Sequence, residues 1–489
     1  MEKKTLKIRS LSLNYILYNF RYVFDIFIPL ITFPYVTRVL GSTNLGKVSF
    51  AESIIGYFLI FSQLGIPAYA TREISRKRDD VYSRSLVFFE MTTSLVITTA
   101  ISSFIYFLVV FNVDICLKET LLYLVIFPNL IFTNFNYEWF YTGIEDQVYI
   151  TQRYATIKVL QCISIFVFVH NTNDYIVYAG ILVGLNSLSA FFNMLHSRKY
   201  IVLTKWEDLK FKCHIKYIFL IFASTVGIQI NRVLDITMIG TMINERSVSI
   251  YTVANRTVMI IRSLILGIVF TINPRVENLF KKGEYIKYKE LVNTSLYLIL
   301  MLAIPAVVSI NVLAYEVIHI LAGDEYIDSV LSMRLLSPII LIVGLANVFV
   351  SLILFPHRRE HNYTVIVIIS SLLNCLFNFT MIPKIGCNGA ILGTVLAETV
   401  TLCLSILFSK DILKGKLLDI KLMEFVKYII ATAFIAIIVF CFKMLIANSI
   451  LYLLTCVLVC IPTYFILLYY FKSDYLIILK NLIIAKVRN

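Results

Sequence analysis

VSFAESIIGYFLIFSQLGIPAYATREISRKRDDVYSRSLVFFEMTTSLVITTAISSFIYFLVVF, residues 48–111, contains two apolar runs, 48–70 and 85–111, parted by a basic joint at 71–84. Each run has the roughly 20 residues that a helix needs to cross the ~30 Å hydrocarbon core of a bilayer. The joint carries Arg72, Arg76, Lys77, Arg78 and Arg84, the composition of a loop held at the cytoplasmic face. Near-continuous apolar runs of this length exclude a β-barrel, whose strands alternate over about ten residues. The stretch reads as two membrane helices and the turn between them.

The same reading extends along all 489 residues and predicts an all-α polytopic membrane protein. Cut at its polar joints, the chain yields fourteen expected spans, at 11–35, 48–70, 85–111, 119–141, 149–169, 174–196, 216–240, 249–272, 291–313, 329–355, 362–381, 388–408, 426–445 and 449–471. Hydrophobic residues make up 59% and charged ones 15%, against about 45–50% and about 25% in soluble domains. With only 17 Gly, 10 Pro and 9 Cys, the chain is neither collagen-like, disordered nor a disulfide scaffold. Cys162, Cys375, Cys403, Cys441, Cys456 and Cys460 sit in apolar sequence, as buried small hydrophobes do. The opening MEKKTLKIRS has the charge of a signal-peptide flank. The apolar stretch after it, however, contains Asn14, Asn19, Arg21 and Asp25 and ends in no small-residue cleavage site, so it reads as a retained first span.

The formal charge of +14 would suit nucleic acid if it formed a stripe on a soluble domain. Here the basic residues lie between apolar segments, where lipid head groups and topology account for them, and nucleic acid is not an expected partner. Of the 44 Lys and Arg, 33 fall in one set of alternate joints and 5 in the other. By the positive-inside rule both ends are cytoplasmic and the number of spans is even.

The joint 197–215 divides the chain into an N-terminal six-helix lobe, 1–196, and a second six-helix lobe, 216–408, with a final helix pair and tail at 409–489. Six crossings return the chain to its starting side, so the lobes insert in parallel around a central cleft, a recurring transporter plan. No stretch outside the spans could hold a nucleotide-binding domain, and GxxxxGK[ST] is absent. Uphill movement would draw on an ion gradient, the membrane potential, a partner or consumption of product. The basic segments 197–215 and 273–290 read either as amphipathic helices in the head-group layer or as solvated linkers.

Charges inside spans are costly and face the bundle interior or water. Here they are Arg21, Asp25, Glu52, Glu90, Glu138, Arg232, Asp235, Arg256, Arg262, Arg334 and Glu398, with Lys443 near a span end. Arg21 and Asp25 share a helix face, as do Arg232 and Asp235. Such pairs either fix helix rotation or keep cavity arginines charged while the cavity is empty. Arginine stays protonated and offers a fork of donors that matches phosphate oxygens, so Arg21, Arg232 and Arg256 are candidate ligands for an anionic head such as a diphosphate. Glu52, Glu90, Glu138 and Glu398 are candidate H+ or Na+ coupling groups, with Asp25 and Asp235 as salt-bridge partners. The six histidines form no HExxH and no metal set, and no GxSxG or acid–base carboxylate pair stands out. No catalytic residue, metal or cofactor is expected.

The stretch PLITFPYVTRVLGSTNLGKVSFAESIIGYFLIFSQLGIPAYATREISRKRDD, residues 29–80, resembles the opening pattern of a known family. A Pro-containing first span leads to an Arg-x-Leu-Gly turn from Arg38 to Gly41, then Gly46, and Thr-Arg-Glu at 71–73. Weaker echoes are EWFYTGIEDQVYITQR (138–153), VLDITMIGTMINERSVSIYTVANR (233–256), NPRVENLF (273–280) and NCLFNFTMIPKIGCNGAILGTVLAE (374–398). The chain thus resembles the bacterial polysaccharide export proteins, flippases for undecaprenyl-diphosphate-linked oligosaccharides of the O-antigen and capsule type. These belong to the multidrug/oligosaccharidyl-lipid/polysaccharide exporter superfamily.

The resemblance implies a two-lobed bundle in the bacterial cytoplasmic membrane that moves a lipid-linked sugar unit from the inner to the outer leaflet by alternating access. Arg21, Arg232 and Arg256 are the positions that best match its cationic cleft, and membrane lipids and polysaccharide-assembly proteins are the implied partners. A cation-coupled multidrug or small-molecule antiporter of the same superfamily is the alternative. A membrane-embedded glycosyltransferase would need a larger outer loop with catalytic groups. Single cysteines at 5, 75, 205, 284, 415 and 485 should react with impermeant thiol reagents from the cytoplasm, and those at 43, 172, 244 and 324 from outside. A reversal at a central site would overturn the count of fourteen.

Overall fold

At Gly41 the backbone takes φ 72° and ψ 173° inside an otherwise continuous helix, α1 (Leu11–Gln63). That region of conformational space is open to glycine almost alone. The expected first and second spans therefore run into one another, with a break at a single residue where a loop was anticipated. The computed structural model describes residues 11–414, 417–419 and 421–477, and the side chain of Asp25 lies outside what is described. Packing divides the chain into two compact units, Met1–Ser249 and Ile250–Asn489.

In the first unit Gly65, at φ 77°, separates α1 from α2 (Ile66–Arg76), whose first turn holds Pro67. Asp80 then caps α3 (Val81–Asn112) by accepting the N–H groups of Tyr82 and Ser83. The basic joint is thus a short helix and a capped turn. The expected fourth span is interrupted after the short helix α4 (Asp114–Leu117). It comprises α5 (Thr120–Ile126), α6 (Pro128–Asn134), which begins at a proline, and α7 (Glu138–Gly143), which begins after Tyr137 at φ 53°. The fifth is one helix, α8 (Gln147–Phe168), but Gln147, Gln152, Arg153, Lys158 and Gln161 leave it without an apolar stretch long enough to cross a membrane. α9 (Tyr175–Ser197) and α10 (Lys212–Met242) complete the unit, and α10 bends by 49° between Ala223 and Thr225.

In the second unit α11 (Glu245–Lys281) and α12 (Tyr285–Leu321) are long helices joined by a turn at Gly283, φ 73°. The basic segment 273–290 is therefore the adjoining ends of two helices, neither a surface helix nor a linker. The tenth span is built from α13 (Ser329–Leu336), α14 (Ile339–Asn347) and a π-helical stretch, Val348–Leu354. α15 (Glu360–Ile385) packs closely on α16 (Cys387–Leu413), where a side chain at Gly393 would meet Asn378 Oδ1. The last pair, α17 (Leu422–Leu445) and α18 (Ser449–Tyr470), packs on α12 through Tyr297, Met301, Tyr428, Ile435, Tyr452 and Tyr464.

Among the described residues the fold is all-α. Ten helices are long and apolar enough to cross a membrane, or eleven counting bent α10. Three physical causes separate this from the fourteen expected. One helix holds two expected spans around Gly41, the fourth span is fragmented by Pro128 and Tyr137, and the fifth is polar. Gly41→Ala should cost about 1–3 kcal/mol, read as a lower unfolding midpoint of the purified protein.

Candidate functional site

Helix α10 runs antiparallel to the second half of α1, and small residues set the spacing. A Cβ at Gly46 would fall 1.8 Å from the carbonyl oxygen of Glu245, and one at Gly240 would fall 2.2 Å from the Phe50 ring. Between and beyond these points Ser53 Oγ and Thr237 Oγ1 lie 3.0 Å apart, and Gly56 faces Val233. Further along, Phe61 meets Phe222. This seam brings together segments that carry several of the expected charges. Glu52, half-buried, lies between the Phe50–Gly240 and Ser53–Thr237 contacts, and Asp235, buried, lies between Thr237 and Val233. Arg232, next to Val233, is exposed.

The remaining expected residues are distributed over both units. Arg21 is half-buried in α1, and its Nη2 donates to Gln147 Oε1 of α8 at 3.1 Å. The expected pairing of Arg21 with Asp25 falls outside the described residues, because the Asp25 side chain is not among them. Arg256, on α11, and Glu398, on α16, are both half-buried and belong to the second unit. Glu90 is buried and engaged: Oε2 lies 2.8 Å from His214 Nε2, and Oε1 accepts the Lys210 N–H at 2.6 Å. Glu138 is ion-paired to Arg153 at 2.6 Å.

Arg153, near the start of the expected fifth span and not among the expected intramembrane charges, is buried inside α8. Besides Glu138 it donates to Asn136 Oδ1 at 2.8 Å and Ser189 Oγ at 2.6 Å, and Asn193 Nδ2 reaches the same Asn136 oxygen at 2.7 Å. The network holds the irregular 135–138 segment against α8 and α9. Arg84 is likewise buried, donating to the carbonyls of Arg78 and Tyr200 at 2.6 Å each. Both positions were legible as arginines near span ends, and only their long-range partners identify them as interior groups. Glu316 of α12, buried and 3.0 Å from Lys443 of α17, has no local sequence signal at all.

The joint 197–215 is docked along its length. Val202 N–H donates to Ser85 Oγ at 2.9 Å, Tyr82 pairs with Asp208, and Tyr200 donates to Asp146 at 2.8 Å. Burial works against the Asp146 carboxylate, yet hydrogen bonds from His196 and Tyr200 hold it below the usual carboxylate range. Among the described residues no cluster of His, Cys, Asp and Glu has the form of a metal site.

A family model described as polysaccharide biosynthesis protein matches residues 14–280. A protein of Escherichia coli (strain K12) named "Putative O-antigen transporter" is 23% identical over 399 residues, covering 78% of this chain and 93% of that protein. Among solved structures, lipid II flippase MurJ in an inward closed conformation superposes with a TM-score of 0.74 at 15% identity, over 95% of this chain and 99% of that one. An inward-facing MATE multidrug transporter superposes with a TM-score of 0.61 at 14% identity, over 84% and 96%. At these identities the two structures share the fold of this chain. Arg153→Leu should lower stability by about 1–3 kcal/mol, since it strips donors from buried acceptors. Glu138→Gln keeps an acceptor and should unfold close to the parent, as thermal melts of the purified variants would show.

Proposed function

This chain belongs to the polysaccharide biosynthesis protein family, and on that premise we propose that it is a non-catalytic multi-pass transporter that flips an undecaprenyl-diphosphate-linked oligosaccharide from the inner to the outer leaflet of the bacterial cytoplasmic membrane, a reading that its MurJ-like and MATE-like fold supports. In this reading the chain crosses fourteen times with both ends cytoplasmic. Lobes 1–196 and 216–408 alternate access to a cleft, and the helix pair in 409–489 packs on the second lobe. The observation that carries it is the charge placed along the α1–α10 seam, with exposed Arg232 and buried Asp235 on one helix and Glu52 on the other.

The physical division of labour is simple. The polyprenyl tail stays in lipid, and only the charged sugar head requires a polar passage across the apolar core. Arg21, Arg232 and Arg256 converge on the diphosphate, each presenting a planar fork of N–H donors to its oxygens. Asp25 and Asp235 hold these cations between cycles, and the coupling H+ or Na+ binds among Glu52, Glu90, Glu138 and Glu398. The seam supplies the moving contact. Its glycines let two helices of opposite lobes meet at backbone distance, and separating them opens the cleft on that side. The match to the protein named as an O-antigen transporter supports a polysaccharide-assembly setting.

The test is transfer between leaflets in liposomes loaded with lipid-linked oligosaccharides. Replacing Arg21, Arg232 or Arg256 by Gln removes both charge and fork, and by Lys only the fork. Gln variants should lose most of the flipping rate, with the Lys variants impaired no more than they are. Gln variants that reach the membrane and flip at the parental rate would leave these arginines a purely structural role. Movement of a soluble organic cation without movement of the lipid would establish the antiporter instead.

A further inference from the structure

His214 stands at the start of α10, buried between two helices of the first unit. Its Nδ1 lies 2.8 Å from Tyr69 Oη on α2 and its Nε2 lies 2.8 Å from Glu90 Oε2 on α3. The second carboxylate oxygen of Glu90 accepts the backbone N–H of Lys210 at 2.6 Å. Tyr69, His214 and Glu90 are 8%, 5% and 4% exposed, so bulk water does not satisfy these groups. The Tyr69 ring meets the imidazole edge-on and stacks on Tyr217, 6.0 Å between centroids.

This arrangement accepts a proton with almost no rearrangement. With a neutral imidazole, Nε2–H donates to the Glu90 carboxylate and the Tyr69 hydroxyl donates to Nδ1. With an imidazolium, both ring N–H groups donate, one to Glu90 and one to the Tyr69 oxygen. Only the Tyr69 hydroxyl rotates, and the lone carboxylate becomes a hydrogen-bonded ion pair. Histidine is the side chain whose charge changes between about pH 5 and pH 8. The charged and titratable groups around the cluster are Glu73 and Arg76 of α2, which pair with each other at 2.9 Å, Lys77 beside Glu90, and Cys213 and Tyr217 on α10 itself.

The position gives the proton a mechanical consequence. The foot of α10 rests on the first unit at this cluster and at Gly65, where an added Cβ would lie 3.1 Å from the Phe222 nitrogen. The 49° bend follows directly, between Ala223 and Thr225, and beyond it α10 forms the seam with α1. We propose that Tyr69, His214 and Glu90 form a proton-binding site that clamps the foot of α10 to α2 and α3, so that proton occupancy sets how readily α10 leaves them. This deepens the coupling role proposed for Glu90 and rests on the alternating-access reading for its part in transport. The bound-proton state is the clamped one, and loss of the proton releases the clamp.

The test uses the full-length protein in liposomes without substrate, its nine cysteines replaced by serine or alanine and spin labels placed at exposed positions 75 and 216. Between about pH 5.5 and about pH 8.5 the label separation should pass from one short distance to a mixture with a longer one. His214→Gln should abolish the transition. Glu90→Gln, which removes the carboxylate that pairs with the imidazolium, should move its midpoint down. Tyr69→Phe, which keeps the ring, should also displace the midpoint, and it decides the matter if His214→Gln does not fold. A separation that ignores pH in the parent, or a transition that Tyr69→Phe and Glu90→Gln leave in place, overturns the proposal. A normal transition in a protein that fails to flip lipid-linked sugar would overturn the substrate reading and leave the proton site standing.

Discussion

A charge drawn into an apolar helix bundle has to find its counterpart within the protein, because lipid offers none. That constraint organises the first unit. The terminal nitrogens of Arg153 reach an amide and a carboxylate of the 135–138 segment and a hydroxyl of α9, and those of Arg84 reach two carbonyls. Apart from Ser189, which lies within α9, the partners are the ends of helices or the turns between them. The buried guanidinium, with its fixed fork of donors, thus does the work of a capping residue for several segments at once. The irregular pieces at 120–143 keep their places because their polar backbone has somewhere to go.

The second unit meets the same constraint with phenols and amides. Tyr297 and Tyr464 reach the carbonyls of Asp419 and Met301, and Tyr288 that of Leu352 in the π-helical stretch. Asn374 and Asn378 form a ladder that extends to Thr394. Each contact binds a helix through one polar atom while its ring or stem packs among aliphatic side chains. Little is gained by apolar contact alone between helices in lipid, so such directed bonds and the close approach at Gly393 carry much of the specificity.

Much of the fold was legible in residues 48–111, since hydrophobic length and basic joints follow from the bilayer itself. Gly41 was legible as a turn, but its setting inside a continuous helix was not, because nothing local marks how sharply a chain bends at one residue. Glu90 was visible as a costly intramembrane charge, whereas His214 looked like one more residue of a basic linker. What joins them is tertiary contact across more than a hundred residues, and no periodicity encodes that. The same holds for Glu316 and Lys443. Arg232 shows the converse: the sequence singled it out by type and depth, while its exposure on α10 is a matter of tertiary packing that no local pattern encodes.

The antiparallel seam also bears on how the protein is made. The face of α1 that carries Gly46 and Gly56 meets Glu245 at the start of α11 and Val233 of α10, both beyond residue 230. Helices α2 to α9 leave the ribosome in between, so that face waits in the membrane through the insertion of the whole intervening chain. The first unit can therefore close only late, and its assembly order is dictated by the last helix to arrive. A nascent chain that ends before α10 would leave Gly56 and its neighbours on α1 without the helix they pack against.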